Sequence, residues 1–115
     1  MKIIVSAKGK GLDAQVDERF GRCPYFVCVD TDNMTEESID NPGTAAAGGA
    51  GIVAAEAVLA LKPGAILTGE VGPHAAKALA SSGVEVVMGA AGTVREAIEK
   101  YKSKAHKIAK PISGL

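Results

Sequence analysis

Ten residues constrain the fold of this chain more than any others: Ala65–His74, AILTGEVGPH. Ala65 to Thr68 form a short apolar or small run between Pro63-Gly64 and Gly69, the length and flanking of a buried strand. Gly69-Glu70-Val71-Gly72 reads as a tight turn. Pro73 suits the first position of a helix, where its missing N–H costs nothing. Such a junction aims free backbone N–H groups at whatever lies above it and favours an anion there. His74 falls in the first helical turn.

Around this junction the chain alternates short apolar runs with glycine turns. Ile3–Ala7 is a first strand, ended by Lys8-Gly9-Lys10-Gly11, and Leu12 to Arg22 is polar with no clear period. Pro24 precedes a second strand, Tyr25–Val29, with Tyr25, Val27 and Val29 on one face and Phe26 and Cys28 on the other. Asp30–Asn33 is turn chemistry, and Met34–Ile39 returns as a polar edge strand. After Asn41-Pro42-Gly43 and glycines 48, 49 and 51, Ile52–Lys62 is helical. It is apolar on nearly every side and is expected to be largely buried. Helix Pro73–Ser82 closes at Gly83, and Val84–Met88 is the last strand. Thr93 and Glu96 have capping-box spacing, and Val94, Ala97, Ile98 and Tyr101 form the stripe of a final helix running to about Lys102.

The order βββαβαβα leaves few arrangements once crossovers are right-handed and connections short. The simplest is an α/β fold with a five-stranded mixed sheet in order 3-2-1-4-5, strand 2 antiparallel, and helices on both faces. Residues 1–102 form one domain and 103–115 a basic tail, flexible and solvated, that includes His106.

Ligands of open α/β sheets bind beyond the carboxyl ends of the parallel strands. In this topology the segments 8–24, 41–51, 69–73 and 89–93 share that edge, with all three helix N-termini. Arg19, Arg22, Lys8 and Lys10 lie on the first of these loops. Cys23 and His74 reach the same rim, whereas Cys28 falls mid-strand as a core residue. The rim suits a bulky anion able to accept S or N ligation. Each residue also has a plainer role open to it. Gly72 and Gly92 can serve turn geometry alone, and Arg19 can pair with Asp13, Asp17 or Glu18. His74 can be an exposed helix-start histidine and Cys23 a bystander.

Composition removes several classes. The 115 residues are enough for one core and too few for two. Two Phe, two Tyr and no Trp are a poor set for stacking bases, so nucleic acid is not an expected partner. Formal charge is zero, yet Lys102, Lys104, Lys107 and Lys110 leave residues 1–101 with nine basic and thirteen acidic groups. Two cysteines make no disulfide framework, the N-terminal stretch carries no secretory apolar segment, and no run is long enough to span a membrane. A soluble cytoplasmic protein, unattached to membranes, is expected.

The motifs ERFGRCPYF (18–26), GGAGI (48–52), TGEVGPHA (68–75) and GTVREAI (92–98) together resemble the dinitrogenase iron-molybdenum cofactor biosynthesis domain, over about residues 1–101. This is the family of nitrogenase cofactor carriers and of the C-terminal region of the cofactor-precursor synthase. The resemblance implies a ribonuclease-H-like fold and non-covalent or weakly ligated binding of an iron–sulfur or iron–molybdenum–sulfur cluster. The protein would act as a carrier, with cluster-assembly or acceptor proteins as partners. It carries over Arg19, Gly21, Arg22 and the turn Gly69–Pro73 as cluster-facing. With the rim, the expected cofactor-binding set is Arg19, Gly21, Arg22, Cys23, Gly49, Gly69, Gly72, His74 and Gly92. Cys23 and His74, where the family often differs, are expected metal ligands by inference from the rim.

Two other readings compete. A nuclease needs several carboxylates converging on metal ions, and the first strand KIIVSAK carries none. A small-molecule or nucleotide-binding regulatory module would use the same glycine turns, although no Walker motif is present. No catalytic dyad or triad is visible, and a non-enzyme is expected.

Overall fold

The apolar runs pair into one five-stranded sheet ordered β3-β2-β1-β4-β5. The strands are β1 (Lys2–Ala7), β2 (Tyr25–Asp30), β3 (Thr35–Asp40), β4 (Ala65–Leu67) and β5 (Glu85–Val87). In this computed structural model the backbone is described for residues 1–113 and the side chains for residues 1–104. The side chains of His106, Lys107 and Lys110, expected in a solvated tail, lie outside the described residues. β2 runs antiparallel to both neighbours, and β1, β4 and β5 run parallel, with Ile4 beside Ile66 and Ile66 beside Val86. Strand order and direction agree with the sequence expectation.

Strand alternation divides the core in two. Ile3, Val5 and Ala7 face Val94, Ala97 and Ile98 of helix α3 (Val94–Ser113), together with Val27, Val29, Ala65 and Leu67. Ile4, Phe26 and Ile66 face the other way, onto helices α1 (Ala50–Leu59) and α2 (Pro73–Ser82). Two helices thus cover one face and one helix the other. Phe20 and Phe26 pack with ring centroids 5.3 Å apart on the two-helix side.

Four local readings change. Helix α3 continues to Ser113, past the end expected near Lys102. The first helix begins at Ala50 and ends at Leu59, so Leu61 and Lys62 lie beyond it. It is buried along one stripe only, Ala54, Ala55 and Val58, while Ile52 is 38% exposed. Small alanines beside Val58 let α1 pack closely against the sheet and α2, which leaves Ile52 on the outside. A 3-10 turn, Pro42–Ala45, occupies what read as a simple break, nucleated by Asn41 accepting from the Gly43 N–H at 2.8 Å. The long polar segment 12–22 is ordered by backbone bonds to distant strands: Val16 N–H to Gly92 O, Asp17 N–H to Ser6 O and Phe20 N–H to Glu70 O. Among the described residues, no helix is long and apolar enough to cross a membrane.

Candidate functional site

Beyond the carboxyl ends of β1 and β4, three glycine-containing segments meet with no side chain larger than the Ala75 methyl at the contacts. A Cβ on Gly21 would lie 3.0 Å from the backbone of Gly51, and one on Gly51 would lie 3.0 Å from Ala75 Cβ. The β1–β2 loop, the start of α1 and the start of α2 therefore approach at backbone distance. Above this junction opens a cavity of about 380 Å³. Arg19, Gly21 and Arg22 line one side, Gly49 to Ile52 the second, and Glu70 with Gly72 to Ala75 the third.

The two helices present bare N-termini here. The N-cap residues are Gly49 and Gly72, neither with a side-chain cap. The first bonds are Val53 N–H to Gly49 O and Ala76 N–H to Gly72 O, so the N–H groups of residues 50–52, 74 and 75 have no partner within their helices. Both dipoles place partial positive charge on the cavity wall.

Arg19 is fixed from behind. Its Nε and Nη2 donate to the two Asp17 carboxylate oxygens at 3.1 Å each, and its backbone N–H donates to Oδ1 at 2.9 Å. Asp17 is buried while the Arg19 side chain is 57% exposed. Burial alone would raise the Asp17 pKa; the Arg19 hydrogen bonds and charge outweigh it and hold the carboxyl below its ordinary 3.8. The same pairing raises the Arg19 pKa. Beneath them, Ser6 Oγ donates to Asp17 O at 2.6 Å and lies 2.7 Å from Thr68 Oγ1, tying the loop to β1 and to the end of β4.

Of the nine expected site residues, six line this cavity: Arg19, Gly21, Arg22, Gly49, Gly72 and His74. Three stand elsewhere. Cys23 is wholly buried, its thiol donating to Phe20 O at 3.3 Å, and burial foremost, with the nearby Asp17 charge, pushes it up to about 12. The thiol is thus enclosed beneath the loop and does not line the cavity. Gly69 has its Cβ position 2.4 Å from Glu18, so its role is close packing of the 17–20 segment. Gly92 belongs to the opposite face: its φ of +83° makes the turn into α3, and its carbonyl accepts from Val16. The third helix N-terminus likewise lies outside this cavity, closed by its capping box, Glu96 N–H to Thr93 Oγ1 and Thr93 N–H to Glu96 Oε1.

Sequence reasoning passed over Asn41, whose buried amide donates to Cys23 O at 2.8 Å and Gly21 O at 3.2 Å and so pins the arginine loop. Asn before Pro-Gly signals such a turn but not its distant partners. Glu70, inside the turn Gly69–Pro73 expected to face the cluster, also lines the cavity. With Arg19 paired to Asp17, the side-chain charge facing the cavity is close to balanced, and the bare helix N-termini tip the balance toward anions. Among the described residues no three His, Cys, Asp or Glu side chains gather as a metal site.

The model of the dinitrogenase iron-molybdenum cofactor family matches residues 1–104. The chain belongs to that family. Its fold is similar to the apo form of the orange protein from Desulfovibrio gigas, with TM-score 0.86 and 42% identity over 90% of this chain and 88% of that one. It is also similar to the NMR structure of a NifB-named Thermotoga protein of the DUF35 family, with TM-score 0.75 and 28% identity over 89% and 87% of the two chains. Among curated proteins, none matches.

Proposed function

We propose that this family member is a non-catalytic carrier of a preassembled, anionic iron–sulfur or iron–molybdenum–sulfur cluster, held in the cavity between the arginine loop and the starts of α1 and α2. The observation that supports it most is the convergence of two uncapped helix N-termini with Arg19 and Arg22 around about 380 Å³. Inorganic sulfides of such a cluster accept hydrogen bonds from backbone N–H groups and guanidinium. His74, exposed at the first turn of α2, is the one imidazole among the described residues lining the wall. The cavity presents no thiolate, so the cluster would be cargo retained by charge and hydrogen bonds, released to an acceptor protein without breaking Cys–metal bonds. The cluster-facing residues in this reading are Arg19, Gly21, Arg22, Gly49, Gly72 and His74.

Anaerobic incubation with extracted iron–molybdenum cofactor, followed by gel filtration and metal analysis, tests the reading. Metal co-eluting with wild type and reduced in an Arg22→Ala, His74→Ala variant is expected. Absence of co-eluting metal at high protein concentration overturns it. Thermal stabilisation by nucleotides instead of cluster would point to a regulatory small-molecule module on the same fold.

A further inference from the structure

The face of the sheet covered by one helix leaves a strip of β4 and β5 open. α3 packs Val94 and Ile98 against the core, and its next stripe, Ala97, Lys100, Tyr101 and Lys104, turns toward β5. These positions follow the i, i+3, i+4, i+7 spacing of one helix face. Between this stripe and the strand end lies a second cavity, of about 400 Å³, on the side of the sheet away from the arginine loop. Its floor is Leu67, Val87 and Ala97, and small residues Gly89, Ala90 and Ala91 form the outer wall. Larger side chains at those positions would fill it.

The polar groups around this floor are few and placed on one side. Tyr101 Oη donates to Glu85 Oε1 and joins the helix to β5 across one end. The Glu85 carboxylate is thereby engaged. Lys100 and Lys104, one turn apart, are exposed on the helix wall, and neither is in an ion pair among the described residues. An apolar floor with a small number of convergent polar groups, in this range of volume, is the make-up of small-ligand sites.

We propose that this cavity binds a small amphipathic acid, with its apolar chain on Leu67, Val87 and Ala97 and its carboxylate between Lys100 and Lys104. Charge complementarity selects the occupant. Lys100 and Lys104 outnumber Glu85 among the charged groups lining the cavity, so a carboxylate is favoured over a cation and gains a charge-assisted contact that a neutral molecule lacks. The site is separate from the carrier cavity and independent of what that cavity holds.

Octanoate, titrated into the full chain and followed by amide chemical shifts, is the test. Saturable binding at about 1 mM or tighter is expected for a ligand of this size, with shifts concentrated in residues 85–104. Octanol should bind about tenfold more weakly, and so should octanoate to a Lys100→Gln, Lys104→Gln variant, because a charge-assisted contact is lost. Both lysines are on the surface, so that variant remains folded. Ala91→Trp, which fills the outer wall, should abolish binding. The proposal is overturned by any of four results. These are no saturation, shifts centred on Arg19–Arg22 and Gly72–Ala75, equal affinity for octanol, or a concentration-dependent dimer that Ala91→Trp dissociates.

Discussion

Asp17 holds Arg19 by three hydrogen bonds, from the backbone N–H at 2.9 Å and from Nε and Nη2 at 3.1 Å. The carboxylate is buried and the guanidinium reaches the cavity, so one residue supplies the position and the other the contact. Replacing Asp17 with Asn removes the charge and one acceptor oxygen from a buried site. The expected cost is about 1–3 kcal/mol at neutral pH, read from urea unfolding. The pH dependence follows from the lowered pKa. The stabilisation is present above the ordinary carboxyl value of 3.8 and is lost as pH falls below it through the depressed folded value. Asp17→Asn should therefore flatten the acid limb of the stability profile below pH 3.8. An acid limb identical to wild type would show that the pair is energetically idle.

Cys23 is expected to be a silent thiol. Its Sγ is enclosed by Phe20 and Asn41, with Asn41 Nδ2 at 3.7 Å, and burial pushes its pKa to about 12. In native protein, maleimide should modify half-buried Cys28 before Cys23, and Cys23 only after denaturant is added. The folded pKa lies above the ordinary thiol value of 9.0, so the neutral-thiol contribution is complete below pH 9.0 and disappears as pH rises toward about 12. Cys23→Ser should weaken that alkaline loss. It should leave cluster retention unchanged, and loss of retention in a folded Cys23→Ser protein would return the thiol to the ligand set.

The gap between the two placements of Cys23 shows where sequence legibility ends. The strands of the sheet read directly because Ile3–Val5 and Ala65–Leu67 are apolar runs and β2 alternates between two cores. The motifs on β4–α2 and at Thr93–Glu96 read directly because turn and cap chemistry is local. Residues 12–23 have no such local cause. Their path is set by Val16 on Gly92, Asp17 on Ser6 and Phe20 on Glu70, and by the turn Cys23 N–H to Arg19 O, which swings the thiol under the loop. The rim was therefore legible as an edge of the sheet, but not which side chains of the loop face outward.

Gly69 and Gly72, three residues apart, should answer mutation in opposite ways. A Cβ at Gly69 would sit 2.4 Å from Glu18 Cα, against backbone that cannot give way without losing the 2.7 Å bond from Glu70 N–H to Glu18 O. Gly69→Ala should cost about 3 kcal/mol or more in denaturant unfolding, the upper range for overpacking. Gly72 has an ordinary φ of −67° and open space around its Cβ position. Gly72→Ala should change stability by less than about 0.5 kcal/mol. If the cluster approaches the α2 N-terminus closely, that same variant loses retention, which separates a ligand-facing glycine from a packing one. A Gly72→Ala protein that is both stable and fully competent would move the cluster away from this wall.

Glu70 provides the most direct test of the sign of the cargo. It lines the same cavity as Arg22 and is solvent-exposed, so Glu70→Gln alters charge with little effect on folding. For an anionic cluster, removing a like charge near the site strengthens binding, by roughly twofold to tenfold at low salt, and the gain shrinks as ionic strength rises. Arg22→Gln should act in the opposite direction with the same salt dependence. Retention of cofactor metal on gel filtration at about 50 mM and about 500 mM salt, between which the Debye length shortens roughly threefold, reads both effects. Weaker retention in Glu70→Gln would mean that this carboxylate contacts the metal itself. The cavity would then be a ligating site and not the charge-based cradle that its two helix N-termini and arginines describe.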